Sequence, residues 1–513
     1  MALRTYDYAL KNFDRGIQTL RGSHRIAPHG AVDVGHGRQL LMDWHVVDDL
    51  NGTRRTVHQP ARHPDNPILE PARPSEGDWF ASFGTVLREP DGRFRLWIPA
   101  SYEQDTKRDG ARTRRSMRGV YFESDDGLDW RRPDLGLFEH DGSKANGIFV
   151  ESYTDNLFVL ALPQRMHGRG RYAMVYCDIL MGDDLVNPER GHGNRNLIAF
   201  SEDGIHWTDA PENPVWCGRT DTGNNIVYNP DRDVFMMYRR ATINAGEVRR
   251  IAYSESRDLV DWTQPVNIIR REENDPLYHY SMHVTPYHGV YLGMLCRLWA
   301  HPHAETHKRG DGRDNTMDTE LTWSRDGIEW HRHPEKPDFI STSPPHLNAY
   351  DWGAAMGIGN IIEMDDHIRV YYGGRERLHA PGYRPSGIPA RATVCVGTLR
   401  RDGFVSVDAG ADGGYLLTRP LIYPGGRLRI NARTTGDGFI RVAVREGEGV
   451  RDGEWPAAFR FEKSIAFSGD SLDHVLSWEG AETLASFPSR TLRLHFWMEN
   501  AKLYSFRFDD EAS

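Results

Sequence analysis

Cysteine is scarce in this chain, and the four present, Cys177, Cys217, Cys296 and Cys395, are widely spaced without a CxxC pair. That spacing excludes both a zinc knuckle and a disulfide framework and leaves buried free thiols. Long apolar runs are missing too: none reaches the ~18 residues needed to cross a bilayer, so no membrane partner is expected. The opening stretch MALRTYDYALKNFDRG lacks a charged leader followed by an apolar core and a small-residue cleavage site, so the expected location is cytoplasmic. Positive charge is not in excess either. A formal net charge of -10, with both signs spread along the chain, excludes a continuous basic surface for nucleic acid.

What the chain has instead is glycine and large aromatics: 50 Gly, 14 Trp and 21 Tyr, a mixture that suits many strands joined by tight turns. At 513 residues it is too long for one compact domain. One short phrase recurs: SDDGLDW at 124–130, SEDGIHW at 201–207, SESRDLVDW at 254–262 and SRDGIEW at 324–330, with a degraded fifth copy, RDGFVSV, at 401–407. The closing tryptophans are 55 to 77 residues apart, room for four short strands and their loops, which is the size of a propeller blade. In each copy Ser and Asp can bond nearby backbone N–H groups, Asp-Gly permits a positive φ, and Trp anchors the hairpin in apolar surroundings. The phrase therefore predicts structural hairpins, not catalysts.

A second periodic feature precedes each phrase. An acidic residue opens a strand in every unit: Asp78 in GDWFASFGTVL, Asp155 in TDNLFVLAL, Asp221 in DTGNNIVYN, Asp275 in NDPLYHYSMHV and Asp351 in YDWGAAMGI. A second apolar run follows each, such as RFRLWIPA or VFMMYRR, so five units share one internal order. Single sheets of this size cannot bury both faces, whereas five arranged radially can. The expected fold is all-β: a lead-in at 1–65 that packs on the first blade or closes the ring, a five-bladed β-propeller at 66–410, and a C-terminal β-sandwich at 411–513.

In such a ring the first-strand starts and second-strand ends converge on one mouth of the central channel. This gathers the five aspartates with Trp79, Asn156, Asn225, Arg239, Arg240, His279, His283, Arg297, Trp352, Arg375, Glu376 and His379. Carboxylates and arginines make directed bonds to hydroxyls, and aromatic faces pack on a sugar ring, so the set predicts a carbohydrate ligand. His279 and His283, four apart on a strand, share a face by its period of two. Two histidines are too few for a metal site, and no cofactor is expected.

The five-unit pattern, the S-x-D-G-x-x-W hairpins and the trailing NAKLYSF strand resemble five-bladed propeller glycoside hydrolases: the invertase and levanase type of family 32 and the arabinanase and xylosidase type of family 43. The resemblance covers roughly residues 66–513. It implies hydrolysis or transfer at a glycosidic bond, often of a fructose- or arabinose-type furanoside, by acidic residues on inner strands. The invertase-type WMNDPNG, RDP and EC motifs are absent from their expected places, and Asn274-Asp275-Pro276 opens the fourth unit, so roles do not transfer by motif. Cleavage needs one protonated carboxyl and one ionised one. Asp155, Asp221 and Asp275 open three consecutive units beside Asn156, Asn224, Asn225 and Asn274, which makes them the expected catalytic carboxylates, with Glu376 as alternative acid. A phosphate-dependent phosphorylase and a non-catalytic sugar-binding propeller are the competing readings, and a homo-oligomer is compatible with the sequence. No Pro- or Ser-rich linker precedes residue 411, which predicts a rigid join to the sandwich. Truncation at Ala411 should then give insoluble protein in a sedimentation assay of cell extracts; a soluble, fully active propeller would contradict the rigid join.

Overall fold

The computed structural model describes residues 30–102, 117–151, 154, 156–179, 194–217, 223–240, 249–276, 278–299, 315–344, 347, 349–379, 391–447 and 456–509. Among them the only helical turns are single 3-10 turns such as Pro74–Glu76, and no helix is long and apolar enough to cross a membrane. The rest is strand and turn.

Five antiparallel units follow one another along the chain. The first spans Trp79–Phe80 to Ile148–Val150, the second Leu157–Ala161 to Trp216–Cys217, and the third Asn225–Asn229 to Val266–Asn267. The fourth runs from Tyr278–Tyr287 to Asp338–Ile340. The fifth has three strands, Ala354–Glu363, His367–Arg375 and Ala392–Arg400, and takes its fourth from far upstream, where Ala61–Arg62 pairs with Gly397 and Thr398. An open sheet edge invites pairing with foreign strands, and this short N-terminal segment covers it.

Each seam between sheets is filled by apolar side chains, in ring order. Trp97 and Tyr121 meet Val159 and Met174; Phe158 and Val175 meet Ile226 and Phe235; Met236 and Tyr238 meet Val284 and Leu295. Met294 and Leu292 then meet Ala355 and Val370, and Ile358 and Tyr371 return to Val86 and Leu96 of the first sheet. Sheets packed on both faces need strands apolar on both faces, which is why VFMMYRR at 234–240 is buried at every position. Close to the axis the seams are stitched by side chains bonding to the neighbouring backbone. Val159 N donates to Thr85 Oγ1 at 3.0 Å, Gly223 N and Asn224 N to Asn156 Oδ1 at 2.9 and 2.8 Å, Val284 N to Asn225 Oδ1 at 2.9 Å, and Ile361 N to Thr285 Oγ1 at 3.0 Å. Asn360 Nδ2, at 3.5 Å from Val86 O, completes the circle. The architecture is a five-bladed propeller.

The repeated phrase builds the same turn each time. Ser124 Oγ accepts from Gly127 N at 2.8 Å, while Asp126 Oδ1 accepts from Leu128 N at 2.8 Å and Asp129 N at 2.9 Å; Ser201 with Asp203, Ser256 with Asp258 and Ser324 with Asp326 repeat the pattern. Three turns are gripped by the preceding blade: Trp97 Nε1 donates to Gly204 O at 2.7 Å, Tyr238 OH to Gly327 O at 2.8 Å and Tyr371 OH to Gly127 O at 2.9 Å. Cys177, Cys296 and Cys395 are buried, and none of them forms a disulfide among the described residues.

The remaining strands form one ten-stranded sheet that encloses its own core, including Leu428, Ile430, Val442, Trp478, Phe496 and Phe506. Its centre is the long pair Arg427–Glu446 and Thr491–Asp509. Of the expected lead-in, Ala61–Arg62 closes the ring as one of its two expected roles, while the strands between residues 32 and 57 contribute here and not to the first blade. Val32–Asp33, Gln39–Leu40, Val47–Asn51 and Thr53–Val57 pair with Leu421–Ile422, Thr491–Asp509, Gly414–Thr418 and Val405–Ala409 respectively. The join to the propeller is polar and dense. Asp402, from the degraded fifth phrase, accepts from Tyr287 OH and Ser505 Oγ at 2.6 Å each and pairs with Arg38 Nε at 3.0 Å. Asp43 forms a buried two-pronged ion pair with Arg325 at 2.7 and 3.1 Å.

Burial alone would raise the Asp43 carboxyl, but Arg325 outweighs it and holds the group at about 2, against an ordinary 3.8. Its contribution to stability is complete above pH ~4 and lost as pH falls through about 2. Removing one charge of a buried pair strands the other, so Asp43→Asn should cost about 3–5 kcal/mol by urea unfolding at pH 7, a difference that shrinks at pH 2.

Candidate functional site

Strand starts and second-strand ends do meet on one face of the ring, and Tyr280 lies at their centre. The Arg240 and Arg249 guanidinium carbons, from the third blade, each lie 4.7 Å from its ring centroid. Phe83 of the first blade stacks on it at 6.2 Å, and His379 of the fifth meets it edge-on at 5.1 Å, with Nε2 at 3.2 Å from the phenol oxygen. Beside this group Trp79 carries Arg375 at 4.9 Å and Arg377 at 4.8 Å. Burial, with repulsion from Arg377, pushes the Arg375 pKa down to about 10. Four blades therefore bring aromatic rings and arginines to one place.

A second group lies at the seam of the second and third blades. Asn224 Nδ2 donates to Asn196 Oδ1 at 2.6 Å, Asn196 pairs across the sheet with Trp216, and the Arg239 guanidinium carbon stands 4.0 Å from the Trp216 ring centroid. Asn156 and Asn225 belong to the stitching described above, their Oδ1 atoms already accepting backbone N–H groups.

Several expected ligands of a sugar are instead spent on the fold. Asp275 receives Arg332 through two bonds at 2.6 and 2.8 Å, Glu272 N at 2.8 Å and Lys336 Nζ at 3.1 Å. Burial would raise its carboxyl, yet His279, Arg332 and the Glu272 N–H hold it well below the usual range, so it cannot act as a proton donor. Arg297 is enclosed by Asp318 at 2.6 Å, Glu320 at 3.2 Å and Asp338 at 2.5 Å. Asp351, fully buried, accepts from Arg62 Nε at 3.0 Å and so fastens the strand that closes the ring. His279 and His283 do not share a face, because the pairing register shifts between His279 and Ser281 and that extra residue breaks the period of two. His279 Nε2 is 3.4 Å from Asp275 Oδ2, and burial pushes the His283 imidazole down to about 4, so it stays neutral.

Asp78 is exposed, its N–H bonded to Ser101 O at 2.7 Å, and Trp352 is half-buried. Glu376 is half-buried, and burial, helped by Glu70 and opposed by Arg391, pushes its carboxyl up. Asp155, Asp221 and the HPHAETH stretch lie outside the described residues, as do most residues linking the second and third strands of every blade. Sequence reasoning passed over Arg249, Arg377, Phe83 and Trp216. Arg249 was accessible to it: the third strand of a blade runs back antiparallel to the second, so a residue just before Ile251 returns to the level of Arg240, its cross-strand partner. Among the described residues no group of three or more His, Cys, Asp and Glu side chains is placed to hold a metal ion.

No protein-family profile and no curated protein matches the chain. Among solved structures, it is similar to an N-acetylgalactosamine deacetylase from F. plautii in complex with blood group B trisaccharide, at 14% identity and a TM-score of 0.45 over 69% of this chain and 97% of that one. It is also similar to a thermostable family-43 glycoside hydrolase, at 14% identity and a TM-score of 0.43 over 68% and 95%. The GH32 β-fructofuranosidase of Bombyx mori matches at 12% identity and a TM-score of 0.42 over 87% and 95%. The named activities, a deacetylase beside glycosidases, differ among the three.

The ion-pair geometry makes Asp275 a structural residue. Asp275→Asn and Arg332→Met should each destabilise by about 3–5 kcal/mol in urea unfolding, and the double variant by much less than their sum. An Asp275→Asn protein of unchanged stability would return Asp275 to the chemistry.

Proposed function

We propose that the chain is a glycoside hydrolase, or a glycosyl-transferring relative, acting on a small oligosaccharide or glycoside at the Tyr280 face of the propeller. The observation that carries this reading is the convergence of Trp79, Phe83, Tyr278, Tyr280 and His379 with Arg240, Arg249 and Arg375 from four separate blades. Aromatic faces accept the C–H face of a sugar ring and guanidinium groups donate to its hydroxyls, which is the combination carbohydrate sites are built from. The reading extends to a fructose- or arabinose-type furanoside as the substrate.

In this proposal Glu376, its carboxyl pushed up, gives a proton to the leaving oxygen, and Asp155 or Asp221 supplies the ionised carboxylate. A separation of about 5 to 5.5 Å between the two would give retention through a glycosyl-enzyme, and roughly 6.5 to 9.5 Å would leave room for water and give inversion. A panel of aryl furanosides and pyranosides tests the reading. At least one should be turned over, with kcat lowered about 10²–10⁴-fold in Glu376→Gln and in Asp155→Asn or Asp221→Asn. Tight sugar binding without turnover of any glycoside would favour a binding protein instead.

A further inference from the structure

At the seam of the second and third blades the structure holds a cation without a counter-charge among the described residues. Arg239 is 1% exposed, and its Nε, Nη1 and Nη2 have no hydrogen-bond partner among the described residues. Among the described residues no acidic group pairs with it, and burial alone pushes its pKa down to about 9. A guanidinium carries five N–H donors and no acceptor, and burying it unpaired is among the costlier things a fold can do. Two inner-strand amides repeat the pattern: the Oδ1 atoms of Asn156 and Asn225 are in use, while their buried Nδ2 groups have no partner among the described residues. The idle groups are donors, so what they lack is an acceptor.

The Trp216 ring, 4.0 Å from the guanidinium carbon, fixes the plane of the fork without using any of its N–H groups. A planar fork held this way matches the two oxygens of a carboxylate or phosphate, with charge compensation that a neutral hydroxyl cannot give. Arg240, Arg249 and Arg375 on the same face add positive potential.

We propose that Arg239 is an oxyanion-recognition residue, and that the protein binds a carboxylate or phosphate group there, carried by an acidic sugar or as inorganic phosphate. This rests on the reading of that face as the substrate site. It narrows the substrate class from carbohydrates in general to those that bear, or are cleaved in the presence of, an oxyanion.

Thermal unfolding of the full chain, titrated separately with inorganic phosphate, glucuronate and glucose, tests it. Phosphate or glucuronate should raise the wild-type midpoint in a saturable way, and glucose should not. Arg239→Met should raise the half-saturating anion concentration at least tenfold, and without anion it should unfold no earlier than wild type, because an uncompensated buried charge has been removed. Arg239→Lys, which keeps the charge and loses the fork, should fall between the two. A response to phosphate alone assigns the site to a phosphate group, and a response to glucuronate alone to a sugar carboxylate. No response to either anion, or an Arg239→Met protein that responds like wild type, overturns the proposal. Turnover of neutral aryl glycosides, measured on the same preparation, keeps the two readings apart: turnover without an anion response sinks only this inference, and an anion response without turnover of any glycoside sinks only the glycosidase.

Discussion

The innermost strand of each blade pairs along its length with a strand of its own blade on one side. Its other edge faces the axis, where a row of backbone N–H and C=O groups would otherwise stay unpaired in a buried place. The chain answers with polar side chains set into apolar strands: Thr85, Asn156, Asn225 and Thr285 each accept backbone N–H groups of the next blade, and Asn360 donates to the backbone of the first. The remaining geometry follows from these stitches. They fix how closely the blades approach the axis, and hence that Tyr280 of the fourth blade can touch Phe83 of the first and His379 of the fifth.

The charged groups divide by how far this framework has already used them. Arg297 with Asp318, Glu320 and Asp338, and Asp275 with Arg332 and Lys336, are closed networks in which every partner is a residue of the fold. Arg239 and Arg375 sit against aromatic rings and keep idle donors. Both kinds of arginine look alike along the chain, at the ends of apolar second strands. Only their surroundings separate a group that holds blades together from one that is left for a ligand.

That distinction marks the limit of what the amino-acid order discloses. The blades were legible because each repeats a turn whose chemistry is local: Ser and Asp two residues apart bond the N–H groups beside them, and the third copy builds the turn even with Leu259 in place of glycine, at a φ of 70°. Convergence on one face was legible for the same reason, since antiparallel order alone returns Arg240 to the level of the strand start. Pairings across the sheets were not. Nothing near Asp275 announces Arg332, 57 residues on, and a closing strand of two residues, Ala61–Arg62, has no period to detect. Residues 32–57 of the expected lead-in could not be assigned to the C-terminal sheet because strand partners leave no mark in a single sequence. The degraded fifth phrase still turns, with Gly403 N donating to Arg400 O at 2.8 Å, but its Asp402 became the joint between propeller and sandwich.

The N-terminal strands have a consequence for how the molecule is made. On the ribosome, Ala61–Arg62 and Thr53–Val57 emerge early, yet their partners at Gly397 and Val405–Ala409 lie 335 to 356 residues later, and Gln39–Leu40 must wait for Phe506. The nascent chain therefore carries several open strand edges through most of its translation. Blades one to four can form as they appear, each on the last, but neither the ring nor the second sheet reaches its final form until nearly every described residue has left the exit tunnel. Elongation rate and chaperone occupancy during that interval become determinants of yield for this architecture.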